Sequence, residues 1–192
     1  MKTKQGKRDL SKKHIINSAL KVIGQEGVKA VTHRSIAKEA GVAHSTVSYY
    51  FRTVEDILTN SFTTLMNDLD LRATEIGLEI IENKGKLTAQ ELVQIGADQS
   101  RAHLESGYLL RARYELHLYA ISNKKFKSLY INHMNTAILG MENILKKIGY
   151  KKADGRMLYY LLLGHEMSAL VDHSISFSNL GEKAIKILNQ YK

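Results

Sequence analysis

The sequence predicts an all-α fold: an N-terminal three-helix segment joined by a long helix to a helical C-terminal bundle. Two observations predict it. Apolar residues recur with a period of about 3.6 along almost the whole chain, whereas the strict alternation of a half-buried strand is almost absent. Glycine- and polar-rich breaks also cut the chain at helix-length intervals: GQEG at 24–27, ENKG at 82–85, ESG at 105–107, SNKK at 122–125, GYKKADG at 149–155 and SNLG at 178–181.

Taken in order, Ser11 is placed to cap a first helix whose Ile16, Ala19, Leu20 and Ile23 form one stripe, stopped by GQEG. Thr32 reads as the cap of a short second helix with Ile36, Ala37 and Ala40 facing inward. Gly41 follows, where a left-handed backbone costs glycine nothing. Val42 plugs the turn, and Val47 and Phe51 mark the buried side of a third helix over 44–50. A long fourth helix starts near Val54 with Ile57, Leu58, Phe62, Leu65, Met66 and Leu69 as its stripe. Further helices are expected over 88–104, 107–122, 124–148, 154–176 and 180–191. No repeat, low-complexity segment or flexible linker separates the parts, so the long fourth helix is expected to be common to both.

The 192 residues suffice for a substantial core and carry 28 Lys+Arg against 19 Asp+Glu, net +9. Residues 1–60 hold 11 and 5 of these, net +6, and residues 61–192 hold 17 and 14, net +3. A basic bias concentrated in the first third points to a polyanionic partner. Without cysteine there is no disulfide framework, thiolate metal site or thiol nucleophile. The run MLYYLLLG at 157–164 falls far short of a bilayer span, so a soluble cytoplasmic protein without membrane contact is expected.

Two short helices joined by a tight glycine turn, the second polar on its outer side, describe a helix-turn-helix whose second helix enters the major groove. In AGVAHSTVSYYF, residues 40–51, the hydroxyls, imidazole and phenols suit phosphate oxygens, thymine methyls and base edges. Thr32, His33 and Arg34 would clamp the flanking backbone. An ordinary helical hairpin with a solvated polar face is the alternative reading of the same pattern.

The run KKHIINSALKVIGQEGVKAVTHRSIAKEAGVAHSTVSYYFRTVEDIL resembles the DNA-binding domain of the TetR family of transcriptional repressors. Its IINSAL with a closing EG, VT, IAKEAGV, YYF and EDIL come in that family's order and spacing. The resemblance implies a DNA-binding domain over 9–69 with its motif at 32–51, and a ligand-binding and dimerisation domain over 70–192. It places DNA contacts on Thr32, His33, Arg34, Ala43, His44, Ser45, Thr46, Tyr49 and Tyr50, with Val42 and Phe51 in the core. The chain departs from the pattern at Ser48, where many members have tyrosine, and at Val54, where many have a phosphate-binding lysine. Arg52 stands close enough to substitute, and the tail of Lys2, Lys4, Lys7 and Arg8 is either a further arm on DNA or a solvated end.

The partners so implied are operator DNA, a second copy of the chain and an unidentified small-molecule effector. For the effector, a mixed face of Tyr114, His117, Leu118 and Ile121, with Met134, Ile138, Met141 and His165, is the expected pocket, although all suit plain core filling too. For the dimer, MLYYLLLGHEMSALV at 157–171 is the expected interface, through Leu161, Gly164, Ser168 and Ala169. No cofactor, metal or catalytic site is expected: His165-Glu166 lacks the second histidine of a metalloprotease helix, since position 169 is alanine, and no phosphate loop or nucleophile elbow occurs. A metal- or pH-sensing helical protein using the C-terminal histidines is the rival from another class.

Overall fold

The computed structural model describes residues 4–191, leaving aside the side chains of residues 4–10, 178–179 and 191. No strand occurs among the described residues. Among the described residues ten α-helices run in order: α1 (Lys4–Glu26), α2 (His33–Ala40), α3 (His44–Tyr50), α4 (Val54–Met66), α5 (Arg72–Lys84), α6 (Ala89–Glu105), α7 (Leu109–Ser122), α8 (Lys124–Lys147), α9 (Gly155–Val171) and α10 (Phe177–Leu188). Residues Asn67–Leu71 form a π-helical stretch, so the helical run from Val54 to Lys84 is continuous but locally widened.

The chain divides into two compact units. One comprises the residues up to Leu65 together with Arg111–Lys127, the other Met66–Leu110 together with Ser128–Lys192. The segment 111–127, expected with the C-terminal part, thus groups with the N-terminal helices. The reason is aromatic: Phe126 meets Phe62 edge-on at 5.2 Å and Tyr119 at 5.0 Å. Leu116 and Ala120 are buried alongside.

The first unit's core follows the expected stripes. Ile16, Ala19, Leu20, Ile23, Ile36, Val47, Phe51, Ile57, Leu58, Phe62 and Leu65 are all buried. The helix begins upstream of the expected Ser11 cap, at Lys4, because KQGKRDL contains no proline and, apart from Gly6 and Asp9, consists of good helix formers. In the second unit, Thr88 and Glu91 cap α6 reciprocally, Thr88 N donating to Glu91 Oε2 at 2.8 Å and Glu91 N to Thr88 Oγ1 at 3.2 Å. Gly155 lets α9 start hard against α8, since a Cβ there would stand 2.8 Å from the Ile138 carbonyl.

Two expected boundaries near the C-terminus move. The helix expected over 154–176 stops at Val171, and the expected break SNLG lies inside α10. Asp172 ends α9 by taking an extended backbone and accepting the Ser174 N–H at 2.9 Å. Phe177, Leu180, Ala184 and Leu188 then form a single buried stripe that requires helix straight through residues 178–181.

Candidate functional site

Residues 32–52 build the candidate nucleic-acid interface. Thr32 caps α2: its Oγ1 accepts the Ser35 N–H at 2.9 Å, and Ser35 Oγ accepts the Thr32 N–H at 2.9 Å. Gly41 ends α2 in the left-handed region, φ 63°, and its N–H donates back to the Ala37 and Lys38 carbonyls. Ala43 then starts α3 with extended backbone and no side-chain cap. The first N–H groups of α3 therefore keep no side-chain partner from their own N-cap, the arrangement in which a helix start receives an anion.

Val47 and Phe51 seat α3 on the core, both almost wholly buried. On the other side Ala43, His44, Ser45 and Tyr49 are exposed, Tyr49 by 67%, and Thr46 and Tyr50 are half-buried. The Tyr49 and Tyr50 rings meet edge-on at 5.2 Å. Thr32, Arg34 and Arg52 are exposed as well. His33 differs from the rest: its Nε2–H donates to the Phe51 carbonyl at 2.8 Å, tying the start of α2 to the end of α3. Its ring also lies 5.9 Å from that of His44. A carbonyl only accepts, so this nitrogen must carry its proton and is already engaged. His14 does the same on the other side, its Nε2–H donating to Ala40 O at 2.9 Å.

At the position of the missing lysine, Val54 opens α4 half-buried. Thr53 and Asp56 cap this helix reciprocally, each donating its N–H to the other's side-chain oxygen at 3.0 Å. Hydrogen bonds to it from the Thr53 side chain and then from the Thr53 backbone hold the Asp56 carboxyl below its usual range. Two cations that sequence reasoning passed over stand nearby. Lys125 at the start of α8 pairs with Glu55 at 3.3 Å, and Lys12 of α1 lies 5.7 Å over the Phe51 ring. Lys125 is 71 residues from Val54 in the chain, so nothing local could have signalled it. The arm residues Lys2, Lys4, Lys7 and Arg8 lie outside the described residues or have side chains that do.

The second unit holds a cavity of about 80 Å³ walled by residues 69–73 and by α6, α8, α9 and α10. Of the eight residues expected to bind a ligand, Met141 lines it. Met134 and Ile138 pack one layer away, against Ala137 and Tyr159. Tyr114, His117, Leu118 and Ile121 belong to the first unit, where the Tyr114 and His117 rings meet at 5.7 Å and Leu118 and Ile121 are 62% and 76% exposed. His165 packs edge-on against Phe177 at 5.0 Å, and burial, with Lys183 adding to it, holds its imidazole below the usual range.

Beside the cavity, the π-helical stretch carries two carboxylates with histidine partners. Asp68 Oδ2 takes His103 Nε2 at 2.7 Å, and Asp70 Oδ2 takes His133 Nε2 at 3.0 Å and the Tyr159 hydroxyl at 3.1 Å. These pairs escaped the sequence reading because the partners lie 35, 63 and 89 residues apart. Among the described residues no three histidine, aspartate or glutamate side chains gather as a metal site. No described helix is long and apolar enough to cross a membrane. Of the expected dimer residues, Gly164 and Ser168 lie on the exposed face of α9. Leu161 turns instead to the cavity wall, and Ala169 is buried against Ala97, Phe177 and Leu180.

Comparison with known proteins bears on the same region. Residues 15–59 match the profile of the bacterial regulatory proteins of the tetR family. The HTH-type transcriptional regulator BetI of Agrobacterium fabrum is 31% identical over 96 residues, 50% of this chain and 47% of that protein, so the match spans about half of the relative's length. A transcriptional regulator from Rhodococcus sp. Rha1 superposes with a TM-score of 0.72 at 16% identity, over 94% of this chain and 95% of that one. A transcriptional regulator from Saccharomonospora viridis, solved in complex with choline, does so with a TM-score of 0.64 at 17% identity, over 94% and 96%. At such identities the structures speak for the fold, and the profile match speaks for the helix-turn-helix. Residues 15–59 are thus similar to the tetR-family helix-turn-helix, and the chain as a whole has the fold of the solved regulators.

Proposed function

We propose that the chain is a homodimeric repressor that binds operator DNA through residues 32–52 and is released by a small-molecule effector. The observation that carries the DNA half of this reading is the two-sidedness of α3. Val47 and Phe51 anchor it, while His44, Ser45 and Tyr49 are exposed beside Thr32, Arg34 and Arg52, which are exposed too. Tyr49 and His44 read base edges; Thr32, Arg34 and Arg52 hold phosphates; Ala43 allows close approach; Thr46 and Tyr50 frame the contact. His33 belongs to the same surface through its hydrogen bond to Phe51 and its place beside His44.

A single reading helix covers one half-site, and a two-fold pair covers two, about 34–36 Å apart. The exposed face of α9 supports the dimer: Tyr160, Gly164, Met167, Ser168 and Val171 recur at helical spacing, and three of them are large and apolar, Val171 83% exposed. The cavity of the second unit supports the effector, as does the choline held by the S. viridis regulator of the same fold. Release follows if the effector favours one of two conformations, by no more than its differential affinity for them.

Selection of duplexes from a random-sequence pool tests the reading. A two-fold symmetric site bound by a dimer is expected. A pool that stays unenriched, or a monomer in sedimentation at micromolar concentration, contradicts it.

A further inference from the structure

The cavity in the second unit has an unusual electrostatic wall. Asp70 and Tyr159 are the polar members of its lining, and no lysine, arginine or histidine joins them among the described residues. Both polar tips are turned to each other: the Tyr159 hydroxyl donates to Asp70 Oδ2 at 3.1 Å, where His133 Nε2 also donates at 3.0 Å. The Asp70 side chain is wholly buried. Every other lining residue is alanine, glycine, leucine, valine or methionine.

Each class of ligand meets this wall differently. A carboxylate or phosphate would leave water with no cation to receive it and with the Asp70 carboxylate as its neighbour, which disfavours ionisation on both counts. An ammonium would leave water for a carboxylate whose Oδ2 is already taken by the His133 and Tyr159 donors, and for a quaternary cation, recognised by several aromatic faces, this lining supplies one ring. A sugar or peptide would bring several donors and acceptors into a space that satisfies few. An aliphatic chain loses only its water. The volume narrows the choice again, since about 80 Å³ is roughly half the 150 Å³ of an engineered apolar cavity that admits benzene.

We infer that this cavity binds an uncharged aliphatic molecule of narrow cross-section, carrying at most one hydrogen-bonding group. That ligand class deepens the effector-release reading and rests on it for its regulatory consequence. The binding itself is read without DNA.

Met141 supplies the reporter, because it is the one methionine lining the cavity among the described residues. Its 13C-methyl resonance, assigned by Met141→Leu, is followed at pH 7 in the full chain during titration with 1-propanol, propanoate and propylammonium, which share one short chain matched to the volume and differ in charge. The expected result is a saturable shift with 1-propanol and binding at least tenfold weaker for both ions. Ala184→Leu, or Ala97→Leu should the first variant not fold, fills the cavity and is expected to abolish the propanol shift. Either ion binding within tenfold of the alcohol, no saturable shift with propanol, or a shift that persists in the filled variant overturns the inference. Release from the selected duplex is scored separately. Propanol binding without release contradicts the effector reading and leaves the cavity assignment standing, whereas release by an ion that moves the Met141 resonance sinks the assignment alone.

Discussion

The two candidate sites are opposite solutions to the same problem. In the first unit the core is closed and the site is its outer face: Val47 and Phe51 look inward so that His44, Ser45 and Tyr49 look outward. In the second unit the site is a space within the apolar core, and its polar pair, Asp70 and Tyr159, is already satisfied. A surface site displays its chemistry as polar groups turned to solvent. An interior site displays it as what the wall lacks, here any cation to receive an anion.

The largest test of this contrast strikes the seat of the reading helix. Phe51→Ala removes a ring that is 1% exposed, and a loss of about 3–5 kcal/mol is expected in urea unfolding. A loss under about 1 kcal/mol would mean that α3 is not held by its core side. Next, Asp70→Ala strips the acceptor from both His133 and Tyr159 and leaves them buried, for which about 1–3 kcal/mol is expected by the same measurement. Wild-type stability in that variant would show the cluster to be loosely held.

A smaller effect sharpens the role of His33. Its hydrogen bond to Phe51 O should contribute about 1 kcal/mol of stability, so His33→Ala is expected to lose that much and His33→Gln, which keeps an N–H donor, to recover part of it. Equal losses in both variants would argue against the bond. The smallest effect belongs to His165. Its imidazole is held below the usual range in the folded chain, so the unfolded chain binds the proton more readily. The contribution is therefore complete above the unfolded value, about 6.5, and is lost as pH falls through it. His165→Leu should flatten the fall in melting temperature between about pH 7 and pH 5. A slope unchanged from wild type would place the acid sensitivity elsewhere.

The helix-turn-helix of the first unit was legible in the sequence because its signals are local. Thr32, Gly41, Val47 and Phe51 mark the cap, turn and seat within 20 residues, and each stands in the structure where that pattern puts it. In the second unit periodicity identified apolar faces but not what they enclose. Ala169 and Gly164 lie on the same helix, and only the packing of Phe177 and Leu180 shows that one is covered and the other exposed. Leu118 and Ile121 read as pocket residues because a mixed helical face looks alike whether it lines a cavity or meets solvent. The break at SNLG failed for a related reason, since polar residues on the outer side of α10 resemble a loop until the Phe177, Leu180, Ala184 and Leu188 stripe is seen buried. Of the residues that line the cavity, Met141 was expected there and Asp70, Tyr159 and those of α10 were not.

The measurement that tests the central claim most directly is duplex affinity against salt concentration for the wild-type chain and for Tyr49→Ala. Tyr49 is 67% exposed, so its removal should move the melting temperature by no more than a few degrees. For the selected duplex, log K of the wild type should fall linearly with log salt, and Tyr49→Ala should weaken binding by about 1–3 kcal/mol, roughly 5- to 150-fold, at every salt concentration. Affinity that is flat with salt, or identical in the two proteins, would contradict the assignment of residues 32–52 as the DNA-reading surface.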